Sequence, residues 1–194
     1  DIMTETMPSR DAAVALLKTY NKNDALIKHA LAVEAAMRYM ARQRGEDEAL
    51  WGLVGLVHDL DYEQFPDVHC HKTAEILRSE GWPELIIRAV LSHGWNLCTD
   101  IEPVSNLEKT LYAVDELTGL IAATALVRPS KSIFDVKVKS VKKKWKEKSF
   151  AAGVNRAVIQ AGADMLNMDL PDLIEQTMAG MCEVASEIGL KGVS

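Results

Sequence analysis

Residues 51–77 read WGLVGLVHDLDYEQFPDVHCHKTAEIL, and the fold turns on how this stretch is understood. With Leu50 just ahead of it, Leu53, Val54 and Val57 recur at three- and four-residue steps, so the first part is an apolar helix stripe. Gly52 and Gly55 lower its helix propensity but permit a close neighbouring helix. The stripe then runs straight into His58 and Asp59, with Asp61, His69 and His71 close behind. Imidazole and carboxylate are costly to bury without partners. A chain that leads an apolar helix into them needs something to satisfy them inside the fold.

Helical spacing extends in both directions from this stretch. Before it, Asp24 is a candidate N-cap for a helix striped by Leu26, Ala30, Val33, Met37 and Met40, which Gly45 stops. After it, Asp67 is expected to cap a helix running to Gly81, and Pro83 suits the first turn of the next, which carries Ile86, Ala89, Val90 and His93. Ser105 to Glu108, SNLE, reads as a capping box. The helix it opens turns Leu107, Leu111, Val114, Thr118, Ile121 and Ala125 inward and ends at the RPS of residues 128–130. A helix over residues 154–166 follows, and Asp169 with Pro171 starts a last one striped by Ile174, Thr177, Met178, Met181, Val184 and Ile188, ahead of Gly189. No strand pattern, repeat or low-complexity linker interrupts the series. The expected architecture is all-α: a single domain over residues 1–194, with a compact helical core at about 24–127 and a helical extension over 128–194.

Composition narrows the function classes. The 194 residues are 48% hydrophobic and 26% charged, ordinary for a globular chain, and carry a formal net charge of −6. That charge and a pI near 5.4 argue against a surface built for nucleic-acid backbones or anionic lipid. The N-terminal DIMTETMPSR lacks the basic start and apolar run of a leader, and no segment is apolar for the length a membrane span needs. Cys70, Cys98 and Cys182 form neither an even disulfide framework nor a C-x-x-C pair, which favours a reducing, cytoplasmic setting.

Projected onto these helices, the unusual residues share one interior. His29 lies beside the Leu26–Ala30 line, His93 falls within its helix's stripe, and Asp115 sits four after Leu111 and three before Thr118, on the buried face of a long apolar helix. A buried carboxylate must be neutralised, paired with a cation or bound to metal. Imidazole and carboxylate together are the nitrogen and oxygen ligands that a divalent transition ion takes.

The order of these residues resembles the HD superfamily of metal-dependent phosphohydrolases. Its pattern of a histidine, then a His-Asp pair closing a helix, then an aspartate on a later helix is matched by His29, His58 with Asp59, and Asp115. HCHKTAEIL from His69, followed by LSHGW with His93, is similar to the two-metal, HDIG-like subset. HDLDY departs from that subset by placing Asp61 and Tyr62 where glycine and lysine are usual, so a lysine able to meet substrate phosphate is missing there. Nor is there a Gly-Tyr-Pro signature of the cyclic-dinucleotide phosphodiesterases. The resemblance covers residues 24–127 and implies a helical HD-domain bundle.

It further implies two divalent ions (Mn, Fe, Mg or Co) bridged by Asp59, with His29, His58 and Asp115 completing one and His69 with His93 the other. Hydroxide generated on the ions would attack a phosphoester of a small phosphorylated metabolite or nucleotide, with Asp59 as the central catalytic group. Two other activities fit the same residues: a di-iron oxygenase of HD type, and a non-catalytic nucleotide-binding module. His71 and Asp61 are expected to support the ligands or meet solvent, Cys70 to pack as a small apolar residue, and the methionines of the last helix to belong to the core. Arg128 and Lys131 are candidate contacts for substrate phosphate if their turn folds back on the metals. The Lys-rich KVKSVKKKWKEK, residues 137–148, is expected as an amphipathic helix with a solvated basic side, the alternative being guidance of an anionic substrate.

Overall fold

The chain is described by a computed structural model over residues 6–193. The first five residues of DIMTETMPSR, read above for the lack of a leader, lie outside the described residues. Among the described residues there are nine α-helices: α1 (Arg10–Tyr20), α2 (Asp24–Arg44), α3 (Glu48–Val57), α4 (His71–Ser79), α5 (Glu84–Ser92), α6 (Asn106–Leu126), α7 (Val138–Lys146), α8 (Arg156–Met165) and α9 (Leu170–Cys182). Two short 3-10 turns, Pro66–Val68 and Ile133–Asp135, and two isolated β-bridges complete the secondary structure. The fold is all-α, as the periodicity implied, and none of these helices is long and apolar enough to cross a membrane.

The two 21-residue helices, α2 and α6, are the axes of the bundle. α2 packs on α3 and α9; α6 packs on α2, α8 and α9. One hydrophobic cluster joins Ala13 and Leu17 of α1 through Met37, Leu56, Leu77, Ile87 and Leu120 to Ile174 and Leu190. Residues after 128 therefore lie against the same core as those before it. α3 meets α2 closely at Gly55: a Cβ there would sit 2.7 Å from Glu34 Cα and 2.8 Å from Glu34 N. Any side chain would separate α3 from α2, so the glycines inside the apolar stripe are what bring these helices together.

Several boundaries differ from the sequence reading. Asn23, not Asp24, caps α2, its side chain accepting from Ala25 and Leu26 N–H. Asp67 does not open a helix; it lies in a 3-10 turn, and α4 starts only after Cys70, whose φ of 71° breaks the helical path. α9 stops at Cys182, six residues before Ile188, because Glu183, Val184 and Ala185 donate to carbonyls three residues back instead of four. The tightened turns still bury Ala185 and Ile188, so the apolar spacing survives the end of the helix. The capping box at Ser105 and Glu108 is present as expected. α7 is amphipathic, with Val141 buried and Val138 and Trp145 partly so, which is the solvated-face reading of the Lys-rich segment. α1 was not anticipated; Arg10 fixes it to α2 with a two-pronged bond to buried Glu34 at 2.7 and 2.9 Å.

Candidate metal centre

His29, in the second turn of α2, and Asp115, in the middle of α6, face each other, whereas the other ligand candidates sit at chain turns. His58 and His93 occupy the C-caps of α3 and α5, Asp59 follows His58, and His69 closes the Pro66–Val68 turn. The His58–Asp59 pair closes α3, as its place after the apolar stripe implied, whereas His93 and His69, expected on helices, sit instead at the end of α5 and ahead of α4. Placement at helix C-termini has an electrostatic consequence: the carbonyl ends of α3 and α5 carry partial negative charge, which favours a cation. The turn with Asp59 is fastened to the α1–α2 junction. Asn21 Nδ2 donates to Leu60 O at 3.2 Å, and Glu63 accepts from Lys22 N and Asn23 N at 2.9 and 2.8 Å.

Each of the four histidines uses Nδ1 on the scaffold and turns Nε2 inward. His58 Nδ1 meets Gly55 O at 2.7 Å and His93 Nδ1 meets Val90 O. Carbonyls only accept, so both Nδ1 atoms carry the proton and a neutral ring is left with its lone pair on Nε2. His69 Nδ1 lies 2.6 Å from Asp61 Oδ1, and His29 Nδ1 lies 3.4 Å from Thr118 Oγ1. The inward nitrogens converge on two carboxylates. His29 and His58 Nε2 lie 2.9 and 3.0 Å from Asp115 Oδ1. Asp59 is divided between two sets: Oδ2 faces His29 and His58 at 3.4 and 3.2 Å, Oδ1 faces His69 and His93 at 3.4 and 3.1 Å.

The histidines and carboxylates shift one another's protonation. Burial opposes charge on His29, yet its hydrogen bonds to Asp115 and Asp59 prevail and raise it to about 9. His58 is raised well above the ordinary range for the same pair of opposing reasons, burial against Asp59 and Asp115. The carboxyl of Asp59 is lowered well below its usual range, because the histidines around it outweigh the effect of burial. Protons on nitrogen are thus doing what a cation would do. The donor set fits a divalent ion: one ligand atom each from His29, His58, Asp59 and Asp115 lie within 4.8 Å of one another, as do atoms of His69, Cys70 and His93.

His29, Asp59, His69, His93 and Asp115 line a cavity of about 330 Å³ together with Leu26, Tyr62, Leu97, Glu116 and Val158. Asp59, Asp115 and Glu116 contribute carboxylates to it, and no Lys or Arg is among its lining residues. Without bound cations this cavity would repel an anion. Glu116 is a site residue the sequence did not point to: one position after Asp115, it falls off the apolar stripe. Burial, then the neighbouring Asp115, raises its carboxyl above the usual range.

Asp61 is fully buried, with Oδ1 on His69 and Oδ2 accepting from Thr73 N at 2.9 Å, so it orients His69 instead of meeting solvent. His71 turns away to Cys98 O at 2.8 Å. Cys70 is buried, as expected of a small apolar residue, but its sulfur lies 3.3 Å from that of Cys98. Arg128 and Lys131 are not brought to the cavity. From Asp115 the helix alone carries the chain about 16 Å onward to Leu126, and their turn does not fold back to line the site.

No curated protein and no solved structure matched this chain in the corresponding comparisons. A family model did: the HD domain matches residues 26–120, a segment that begins at Leu26 and ends at Leu120, within α6, and takes in His29, His58, Asp59, His69, His93 and Asp115. With that match and an all-α bundle that brings its histidines and aspartates together, residues 26–120 are an HD domain, consistent with the HD superfamily.

Proposed function

We propose that the protein is a metal-dependent phosphohydrolase with a two-ion centre, acting on a phosphoester of a small metabolite or nucleotide. One observation carries the two-ion reading: the oxygens of Asp59 face different pairs of histidines, which is the disposition of a bridging carboxylate. His29, His58, Asp59 and Asp115 would hold one ion; His69, His93 and the other oxygen of Asp59 the second. Divalent ions supply Lewis acidity there, activating water near neutral pH and offsetting charge on a phosphoryl group.

The chain's own residues do the rest. The Nδ1 anchors at Gly55 O, Val90 O, Asp61 and Thr118 hold each imidazole in one orientation before substrate arrives. Asp59 and Asp115 keep negative charge close to the histidines and so retain the cations. Leu26 and Val158 give the cavity apolar walls, and its volume suits a small phosphorylated group, not a polymer. The absence of Lys and Arg from these walls leaves phosphate recognition to the ions, in keeping with HDLDY lacking the usual lysine.

The test is a panel of phosphoesters assayed with Mn, Fe, Mg and Co, on wild type and Asp59→Ala. The reading predicts turnover that depends on added ion and falls by three orders of magnitude or more, about 4 kcal/mol of transition-state stabilisation, in the variant. Wild-type turnover with no added ion after chelation, or equal rates in Asp59→Ala, contradicts it. Tightly held iron with an O₂-dependent reaction and no phosphoester turnover would assign the same six residues to the oxygenase alternative.

A further inference from the structure

Two sulfurs meet beside the His69–His93 half of the centre. Cys70 Sγ, from the turn before α4, and Cys98 Sγ, from the turn after α5, lie 3.3 Å apart, and both cysteines are free. Two further observations show a contact the backbone is shaped to hold. Cys70 has φ 71° and ψ −48°, a backbone conformation that a residue with a side chain adopts only at a cost of about 1–3 kcal/mol. Opposite it, a Cβ on Gly94 would lie 2.5 Å from Cys98 Sγ and 2.8 Å from Cys70 Sγ. Both sulfurs fit only because residue 94 has no side chain.

A metal-ligand role for Cys70 accounts for this less well. Its sulfur is nearly equidistant from the two ring nitrogens of His93, 3.9 and 3.8 Å, and so lies off the lone-pair direction of Nε2, which runs to Asp59. Its nearest reactive neighbour is the other sulfur. Cys98 is exposed and lines the His–Asp cavity with Gly94, so a small molecule that enters the site reaches it.

We propose that Cys70 and Cys98 form a reversible disulfide, closed by a peroxide that enters the site cavity, and that closure withdraws His69 and His93 from the second ion. The peroxide O–O bond breaks as Cys98 sulfur takes one oxygen, giving a sulfenic acid and one water. Cys70 sulfur then displaces the hydroxyl from Cys98, and the Cys70 proton leaves with it as a second water. Two thiols lose two electrons and two protons, and the peroxide is reduced. Closing the gap from 3.3 Å to a bond of about 2.05 Å moves the turns by about 1.2 Å, and these turns carry His69 and His93 one residue from Cys70 and from Gly94. The effect on the ion rests on the function proposed above; the disulfide itself does not.

The experiment treats the full chain, as wild type and Cys98→Ser, with hydrogen peroxide, alkylates it, and maps the peptides by mass spectrometry. Manganese affinity is measured on the same samples. A Cys70–Cys98 linked peptide lighter by two hydrogens in wild type alone, with Cys182 alkylated and the link lost in dithiothreitol, is expected. The more weakly held manganese loses about tenfold or more in affinity in oxidised wild type and is unchanged in peroxide-treated Cys98→Ser. Both thiols recovered alkylated after peroxide would overturn the pair, and a linked peptide with unaltered manganese affinity would overturn its effect on the site. A linked peptide in a protein that takes up no manganese in either form upholds the thiol pair and contradicts the metal reading instead.

Discussion

His58 and His93 spend their Nδ1 protons on carbonyls of their own helices, and that local bond decides what the opposite nitrogen can do. Asp61 plays the same part for His69. Asp61→Asn keeps the shape but replaces one of two acceptor oxygens with an amine that must face either His69 or the Thr73 N–H. Isothermal titration with manganese should show the second ion weakened about tenfold or more, with the first little changed. Equal loss at both ions would mean that Asp61 supports the fold and not His69. The proton balance gives a second expectation. His29 is raised to about 9 in the metal-free protein, so a cation must displace a proton there at neutral pH. Metal uptake should therefore release protons, and affinity should rise by up to about tenfold per pH unit from this one group until about pH 9. The sign for stability is opposite. A histidine whose pKa is raised by folding stabilises the metal-free fold below its ordinary 6.5, and that stability is lost as pH rises through about 9. Titrations in buffers of different ionisation enthalpy measure the proton release directly. At this scale His29, His58, Asp59, His93 and Asp115 were legible because histidine and aspartate on, beside or at the end of apolar stripes are anomalous in themselves; His69 entered only through the resemblance of HCHKTAEIL to the two-metal subset. Glu116 was not, since it lies off the stripe and becomes a cavity wall only beside Gly153 and Val158, which come from residues far along the chain.

At the scale of the element, α3 matters most, because its approach to α2 places both His58 and the carbonyl that orients it. Gly55 supplies that carbonyl and also the bare surface against Glu34. Gly55→Ala should lower stability by about 1–3 kcal/mol, read as a fall in Tm, and weaken metal binding with it, because the backbone must move. A variant with unchanged Tm would show that α2 and α3 have slack here. Long helices with clear stops were readable: Gly45 and the SNLE capping box mark real ends. What failed was short or tertiary in origin. α1 buries only Ala13 and Leu17 and owes its place to Arg10 bonding Glu34, 24 residues away. α4 starts late because of a strained Cys70 backbone that no side-chain pattern announces. The α9 boundary was missed because three-residue hydrogen bonding continues the same buried face.

For the molecule as a whole, α8 and α9 pack on the same two long helices that hold His29 and Asp115, and Gly153 and Val158 wall the cavity. The residues after 128 therefore complete a site whose ligand candidates all lie before them. This was not legible beforehand, because the residues that wall the site from this segment are a glycine and a valine, types that carry no chemical signature. The expected contribution of Arg128 and Lys131 was misplaced for a related reason: a turn's direction is set by what it packs on, and this one does not return to the cavity. The account as a whole rests on divalent ions joining side chains from separate elements. The most direct measurement is anomalous diffraction at the manganese edge from crystals of the full chain soaked in manganese. Two peaks are predicted, one among His29, His58 and Asp115, the other against His69 and His93, with Asp59 between them. Saturating manganese that leaves no peak among His29, His58, Asp59 and Asp115 would contradict it.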